Sequence, residues 1–260
     1  MNDFRDAASG QPDHNGRWPV ATRPVVAELP PSKIREIANA GFGRTDLLRF
    51  WFGESNRPTP DYIKQAAMAG IANDEVFYTH NNGREDLREA LASYLTRLHR
   101  QHFAMERTSI TSSGVSALMI ALQALINPGD RVVIVTPIWP NIAQMPVALG
   151  ARVERVAVDG SSGQWQLDLD RLLAAITAET KVLIINSPAN PTGWIITAEQ
   201  QRAILDHCRR LGVWILADDV YERLVLGEGA GPAPSFLAVA DPHDRLIGAN
   251  NSSKAWLMTG

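Results

Sequence analysis

Val213-Trp214-Ile215-Leu216-Ala217-Asp218-Asp219-Val220-Tyr221 reads as a buried β-strand that ends on a carboxylate. Five apolar residues in succession leave no polar face, so a strand made of them must be covered on both sides. Asp218 then sits where a charge is costly. An unpaired buried carboxylate costs several kcal/mol, so this one needs a partner. Asp219 is adjacent and points the other way, which predicts a surface or helix-capping role for it.

The same kind of run recurs to either side. Short β-branched or apolar stretches fall at 109–111, 131–135, 153–158, 181–185, 213–217 and 246–249. Helical spacing fills most of the gaps, at 115–126, 138–149, 169–176 and 198–211. Strands alternating with helices predict an α/β fold, a mainly parallel sheet with helices on both faces. In such sheets ligands bind beyond the carboxyl ends of the strands. Upstream, Ser32 is set to cap a helix over 33–40 that Gly41 closes. Residues 47–52 are strand-like, Pro60 opens a helix to about 71, and 85–102 carries apolar residues at three-to-four spacing. Residues 1–29 lack periodicity and predict a flexible arm.

Bulk properties narrow the field. A net charge of −3 over 260 residues gives no polyanion-binding patch, which argues against nucleic acid as a partner. No apolar run has the length of a membrane span. The single cysteine, Cys208, excludes an internal disulfide and suits a reducing compartment, so the expectation is cytoplasmic. His99 and His102 are too few for a metal site and predict a solvated helix face.

Several polar anchors follow these runs. Thr111-Ser112-Ser113-Gly114-Val115-Ser116 passes from strand to helix through a glycine, which lets the backbone approach a ligand. The helix start favours an anion by roughly 0.3–1 kcal/mol. Trp139 follows the 131–135 run and offers a stacking face. Asn190 lies in Asn186-Ser187-Pro188-Ala189-Asn190-Pro191-Thr192-Gly193, and Tyr221 lies just beyond Asp218. Lys254 stands in Ser252-Ser253-Lys254-Ala255-Trp256, after the last run. Singly, each has a structural explanation: a cap, a core aromatic, a loop residue, a solvated lysine. Together they are the parts that hold pyridoxal phosphate. Asp218 pairs with a protonated ring nitrogen and makes the ring an electron sink. Asn190 and Tyr221 hold the ring oxygen. Lys254, an amine that titrates near ~10.4 when free, links to the aldehyde and later moves a proton at the substrate carbon.

These motifs resemble a class I/II pyridoxal-phosphate-dependent aminotransferase of the aspartate aminotransferase fold type. The resemblance runs from about Pro30 to Gly260. It is carried by Gly53-Glu54, Tyr78-Thr79, Gly83 with Asp86-Leu87-Arg88, Ser113-Gly114, Asn127-Pro128-Gly129-Asp130, Trp139, Asn190-Pro191-Thr192-Gly193, Asp218 to Tyr221, and Ser253-Lys254 with Met258-Thr259-Gly260. It implies transamination between an L-amino acid and a 2-oxo acid through Lys254, with Asp218 and Tyr221 as further catalytic residues. It also implies that Val115, Ser116 and Ser253 lie around the phosphate with Ser113 and Gly114, and that Trp139 stacks on the ring. Gly53, with Asn190, would lie near the substrate carboxylate. Tyr78 would reach the phosphate of a partner subunit in a homodimer. Residues 30–52 would belong to the small domain and 53–260 to the cofactor-binding large domain. Two positions depart from the pattern: Asn251 stands where serine often contacts phosphate, and Ser252 where an aromatic is common. The pattern also continues past Gly260 to an arginine for the phosphate, an inserted sheet strand and the rest of the small domain. The expectation is therefore a fragment that exposes apolar surface and is inactive as a 260-residue chain.

Other readings explain less. A carbon–sulfur lyase, decarboxylase or synthase on the same scaffold uses the same residues and differs in substrate orientation. A non-catalytic regulator wants a helix-turn-helix domain ahead of the fold. A Ser-Lys amidase at Ser252 or Ser253 leaves Asp218, Tyr221 and Asn190 without a task.

Overall fold

The structure is a computed structural model that describes residues 22–227 and 229–259; residues 1–21 of the expected arm lie outside it. Five parallel strands form the sheet: β1 (Arg131–Thr136), β2 (Arg152–Ala157), β3 (Thr180–Asn186), β4 (Trp214–Asp218) and β5 (Leu246–Ala249), in the order β2-β1-β3-β4-β5. The helices are α1 (Pro24–Ala27), α2 (Lys33–Gly41), α3 (Asp61–Ala72), α4 (Glu85–His99), α5 (Gly114–Leu125), α6 (Pro140–Ala148), α7 (Leu169–Ala175), α8 (Ala198–Leu211) and the single turn α9 (Ser252–Ala255).

The continuous apolar runs have the predicted cause. Alternate residues of each strand feed two separate cores. Val133, Val135, Leu183, Ile185, Ile215 and Ala217 pack with Leu172 of α7 and with Ile204, Leu205 and Cys208 of α8. Val132, Ile134, Val182, Ile184 and Leu216 pack with Leu118 and Leu122 of α5 and with Ile142 and Met145 of α6. Helices thus cover both faces. Local signals agree with this. Thr197 and Gln200 close a capping box at the start of α8, and Gly212 ends it. Cys208 is buried in the first core, where burial pushes its thiol up to about 12, so it packs rather than reacts.

Parallel pairing brings all strand ends to one edge. Asn186 is level with Asp218, and Asp218 with Ala249. The ends of three strands, two of them polar, therefore converge at the carboxyl edge of the sheet.

Three expectations need correction. Residues 109–111 form no strand: the Ile110 N–H bonds to Asn82 O, and a strand exists only where a neighbour completes its ladder. Residues 47–52 likewise form bends with Leu48 and Phe50 exposed, while Trp51 packs on Gly41. The long helix stops at His99 rather than 102, because Arg100 turns left-handed and the Phe103 N–H bonds to Thr96 Oγ1. Large apolar side chains do stand exposed along the N-terminal half, among them Leu48, Phe50, Phe77 and Tyr78.

Ile184 lies at the centre of β3 and is fully buried. Ile184→Ala should cost about 2–5 kcal/mol, seen as a lower denaturant midpoint at unchanged slope; a loss under 1 kcal/mol would contradict this packing.

Candidate active site

The site is assembled around β4. Asp218 ends that strand and is buried. Asn186 ends β3 beside it, and its Nδ2 donates to Asp218 O at 3.0 Å and to Asp218 Oδ2 at 3.2 Å. The Val220 N–H donates to Asp218 Oδ1 at 3.3 Å. Asn186 also faces the next loop: its Oδ1 accepts the Asn190 N–H at 2.8 Å, and Asn190 Nδ2 donates to the Tyr221 hydroxyl at 3.3 Å. One asparagine therefore orients Asp218 directly and, through Asn190, Tyr221.

Lys254 approaches from α9, with Nζ 6.0 Å from the centre of the Tyr221 ring. Burial lowers its pKa, while the charge of Glu54 raises it. The segment carrying Glu54 crosses the site here. A Cβ on Gly53 would lie 2.5 Å from the Tyr221 hydroxyl, so only glycine lets the backbone pass this close.

Two helix starts meet on the other side. Ser113 caps α5 by accepting the Ser116 N–H at 3.1 Å, and its Oγ lies 3.0 Å from Ser116 Oγ. Asn251 caps α9 by accepting the Ser253 N–H at 2.9 Å. A Cβ on Gly114 would stand 2.7 Å from Asn251 Nδ2, so this glycine permits the contact between the helices. Val115 is exposed at the start of α5. Trp139 begins α6, half-buried against the second core. Tyr78 is fully exposed and touches none of these groups.

The carboxyls are perturbed. Burial pushes Asp218 up to about 7; the Val220 N–H opposes this and the charge of Asp219 adds to it. No cation is among the groups that act on Asp218. Burial raises Tyr221 as well, with Asn190 lowering and Asp218 raising it. Asp219 is not at the surface as expected: it is 4% exposed and accepts the Ser235 hydroxyl at 2.6 Å, because the chain turns inward after β4. Burial raises it to about 6. Glu222 is buried too, and reaches about 7 for the same reason. His99 is also inside rather than solvated, 9% exposed and facing Glu222, because α4 packs this turn against the loop after β4.

Sequence reasoning missed Asn186, Glu222 and Asn250. Asn186 had a readable signal: it ends an apolar run just as Asp218 does. Glu222 and Asn250 meet across 28 residues of chain, which no local pattern encodes.

An open parallel sheet with a lysine, a buried carboxylate, a tyrosine and two helix starts at its carboxyl edge has the form of a phosphate-bearing cofactor site. The chain belongs to the class I and II aminotransferase family, whose model matches residues 50–260; members of that family use pyridoxal 5'-phosphate. The aspartate/prephenate aminotransferase of Cereibacter sphaeroides is 35% identical over 232 residues, covering 88% of this chain and 56% of that protein. That of Thermus thermophilus is 33% identical over 244 residues, covering 92% and 60%. Among solved structures, the aspartate aminotransferase of Thermotoga maritima superposes with a TM-score of 0.83 at 28% identity, covering 92% of this chain and 64% of that one. The N-succinyldiaminopimelate aminotransferase of Mycobacterium tuberculosis gives 0.82 at 27%, covering 92% and 62%. The chain thus spans somewhat more than half the length of these relatives. Among the described residues no helix is long and apolar enough to cross a membrane, and none of their acidic, histidine or cysteine side chains cluster as a metal site.

Asp218, Asp219 and Glu222 hold their protons more tightly folded than unfolded. The folded state therefore binds more protons between the ordinary carboxylate range and about 7, and stability falls as pH rises through that window. Thermal unfolding of the cofactor-free protein should show this decline, and Asp218→Asn should make it shallower. A melting temperature that rises over the same window would contradict the burial of these groups.

Proposed function

We propose that this chain is the cofactor-binding portion of a pyridoxal-phosphate-dependent aminotransferase that moves an amino group between an L-amino acid and a 2-oxo acid. The observation that carries the reading is Asp218, a buried carboxylate with amide donors but no cation, across the site from a partly desolvated Lys254. A cationic ring nitrogen is the partner such a carboxylate lacks, so the residues fit the cofactor. Bound there, pyridoxal phosphate supplies an aldehyde for the lysine and a ring that takes up electrons from the substrate carbon.

The chain's own residues divide the remaining work. Lys254 is the covalent anchor. Its amine would be the group placed to move a proton at the substrate Cα, and burial lowers its pKa in that direction. Asp218 would hold the proton on the ring nitrogen, and Asn186 keeps the carboxylate aimed. Asn190 and Tyr221 would hold the ring oxygen as an anion. Trp139 would cover one ring face. Ser113, Gly114, Val115, Ser116, Asn251 and Ser253 surround the phosphate, with the asparagine replacing serine as both cap and donor. Gly53 leaves room for the substrate carboxylate beside Asn190.

We extend the reading to assembly. Full exposure of Tyr78 and Phe77 supports a homodimer in which Tyr78 reaches the neighbour's phosphate. Residues 30–52, with Phe42, Leu48 and Phe50 exposed, suit a segment of a separate small domain. A buried, unpaired Cys208 suits a cytoplasmic protein.

Borohydride reduction of the full-length protein with pyridoxal phosphate, followed by peptide mapping, should place one pyridoxyl adduct on Lys254. Lys254→Ala should abolish the adduct and lower transamination by about 10²–10⁴-fold. Adducts scattered over surface lysines, or unchanged turnover in Lys254→Ala, would overturn the reading. Product analysis with an amino acid and 2-oxoglutarate separates transamination from elimination or decarboxylation.

A further inference from the structure

Glu222 is the least exposed acidic residue among the described residues, at 2%. It directly follows Tyr221, yet no cofactor or substrate contact falls to it. Its Oε1 accepts a hydrogen bond from Asn250 Nδ2 at 2.8 Å. Asn250 Oδ1 accepts the Asn251 N–H at 2.8 Å. Asn251 Oδ1 in turn accepts the Ser253 N–H, the cap of α9. These bonds run without a gap from the residue after Tyr221 to the helix turn that carries Lys254.

The other carboxylate oxygen is the informative one. Oε2 is buried without a hydrogen-bond partner, 3.8 Å from His99 Nε2, which is equally unpartnered. Unpaired buried polar atoms are costly, and an apolar pair would fill this space at less expense. With Oε2 unpartnered, the bond from Asn250 to Oε1 is the side chain's one hydrogen-bonded connection among the described residues. Helix α4 also touches the residue that follows α9, where Tyr94 stands edge-on to Trp256 at 5.3 Å between ring centres. It therefore backs both ends of the connection.

We propose that Glu222 is a positioning residue: through Asn250 it fixes the start of α9 and so sets where the Lys254 amine stands relative to Tyr221, with α4 as the rigid backing. The proposal rests on the reading of Lys254 as the cofactor anchor. The titratable and charged groups facing Glu222 are Asp219 and Arg223 on its own loop, and Tyr94 and His99 on α4. Burial raises the Glu222 carboxyl most and Asp219 adds to it, while the bond from Asn250 and the charge of Arg223 lower it. What the connection requires is the Oε1 acceptor and the shape, both of which glutamine keeps.

The test compares the parent protein with Glu222→Gln, Glu222→Leu and Asn250→Ala, all as full-length chains. Pyridoxal phosphate affinity is read by absorbance titration, the protonation midpoint by the visible absorption of the lysine-bound cofactor against pH, and the attachment by borohydride trapping. Glu222→Gln should match the parent to within about twofold in affinity, with the same midpoint. Glu222→Leu and Asn250→Ala should bind about tenfold more weakly, the scale of one lost hydrogen bond, with displaced midpoints. A parent-like midpoint and affinity in Asn250→Ala would overturn the proposal. So would a glutamine variant as impaired as the leucine one, since charge rather than position would then be acting. Should Glu222→Leu not fold, Asn250→Ala decides by the same criteria; failure of both to fold overturns the proposal in favour of a purely structural role. No Lys254 adduct in the parent defeats the anchor reading itself, whereas adducts in every variant with equal midpoints defeat only the positioning role.

Discussion

The hydrogen bonds from Asn186 to Asp218 are what the rest of the site depends on. Two adjacent parallel strands end level with each other, one on an amide and one on a carboxylate. The amide donates into its neighbour and accepts from Asn190, which then reaches Tyr221. If β4 slipped by one residue against β3, its side chains would turn to the opposite face of the sheet and Asp218 would leave Asn186. The two cores hold that register, because Leu183 and Ile185 feed one core and Val182 and Ile184 the other. Packing along the strands thus sets which residues meet at the site.

Burial at the strand end does two things at once. It removes water from Asp218 and Tyr221, strengthening any interaction they make with a bound charge. It also makes the same carboxyl unfavourable as an anion when nothing cationic is present. A group of this kind discriminates among ligands by charge. A neutral aromatic of the same shape would leave Asp218 as it is, whereas a cation held at hydrogen-bonding distance relieves it.

Much of this was legible in the chain. Strands at 131–135, 153–158, 181–185, 213–217 and 246–249 announced themselves through their apolar runs, and helix 198–211 through its helical spacing. Asp218, Asn190 and Lys254 stood out because each followed such a run. What escaped was non-local. Residues 109–111 carry strand-forming residues, but a strand is a property of a pair of segments, and this one's amide is taken by Asn82. His99 looked like one more polar residue on a charged helix, and only the docking of α4 against Glu222 turns it inward. Asp219 looked like a surface neighbour of Asp218 until Ser235 came back across 16 residues of chain to meet it.

The two rims of the sheet differ in character. At the β2 rim Arg152, Glu154 and Arg155 stand in water, a charged border of the sort that keeps sheets from joining edge to edge. At the other rim β5 pairs with β4 alone among the described residues, and its sequence is Leu-Ile-Gly-Ala. Nothing in that strand repels a second extended segment. Of the two rims, the one open to a further extended segment is therefore β5, a few residues from Lys254, and not β2.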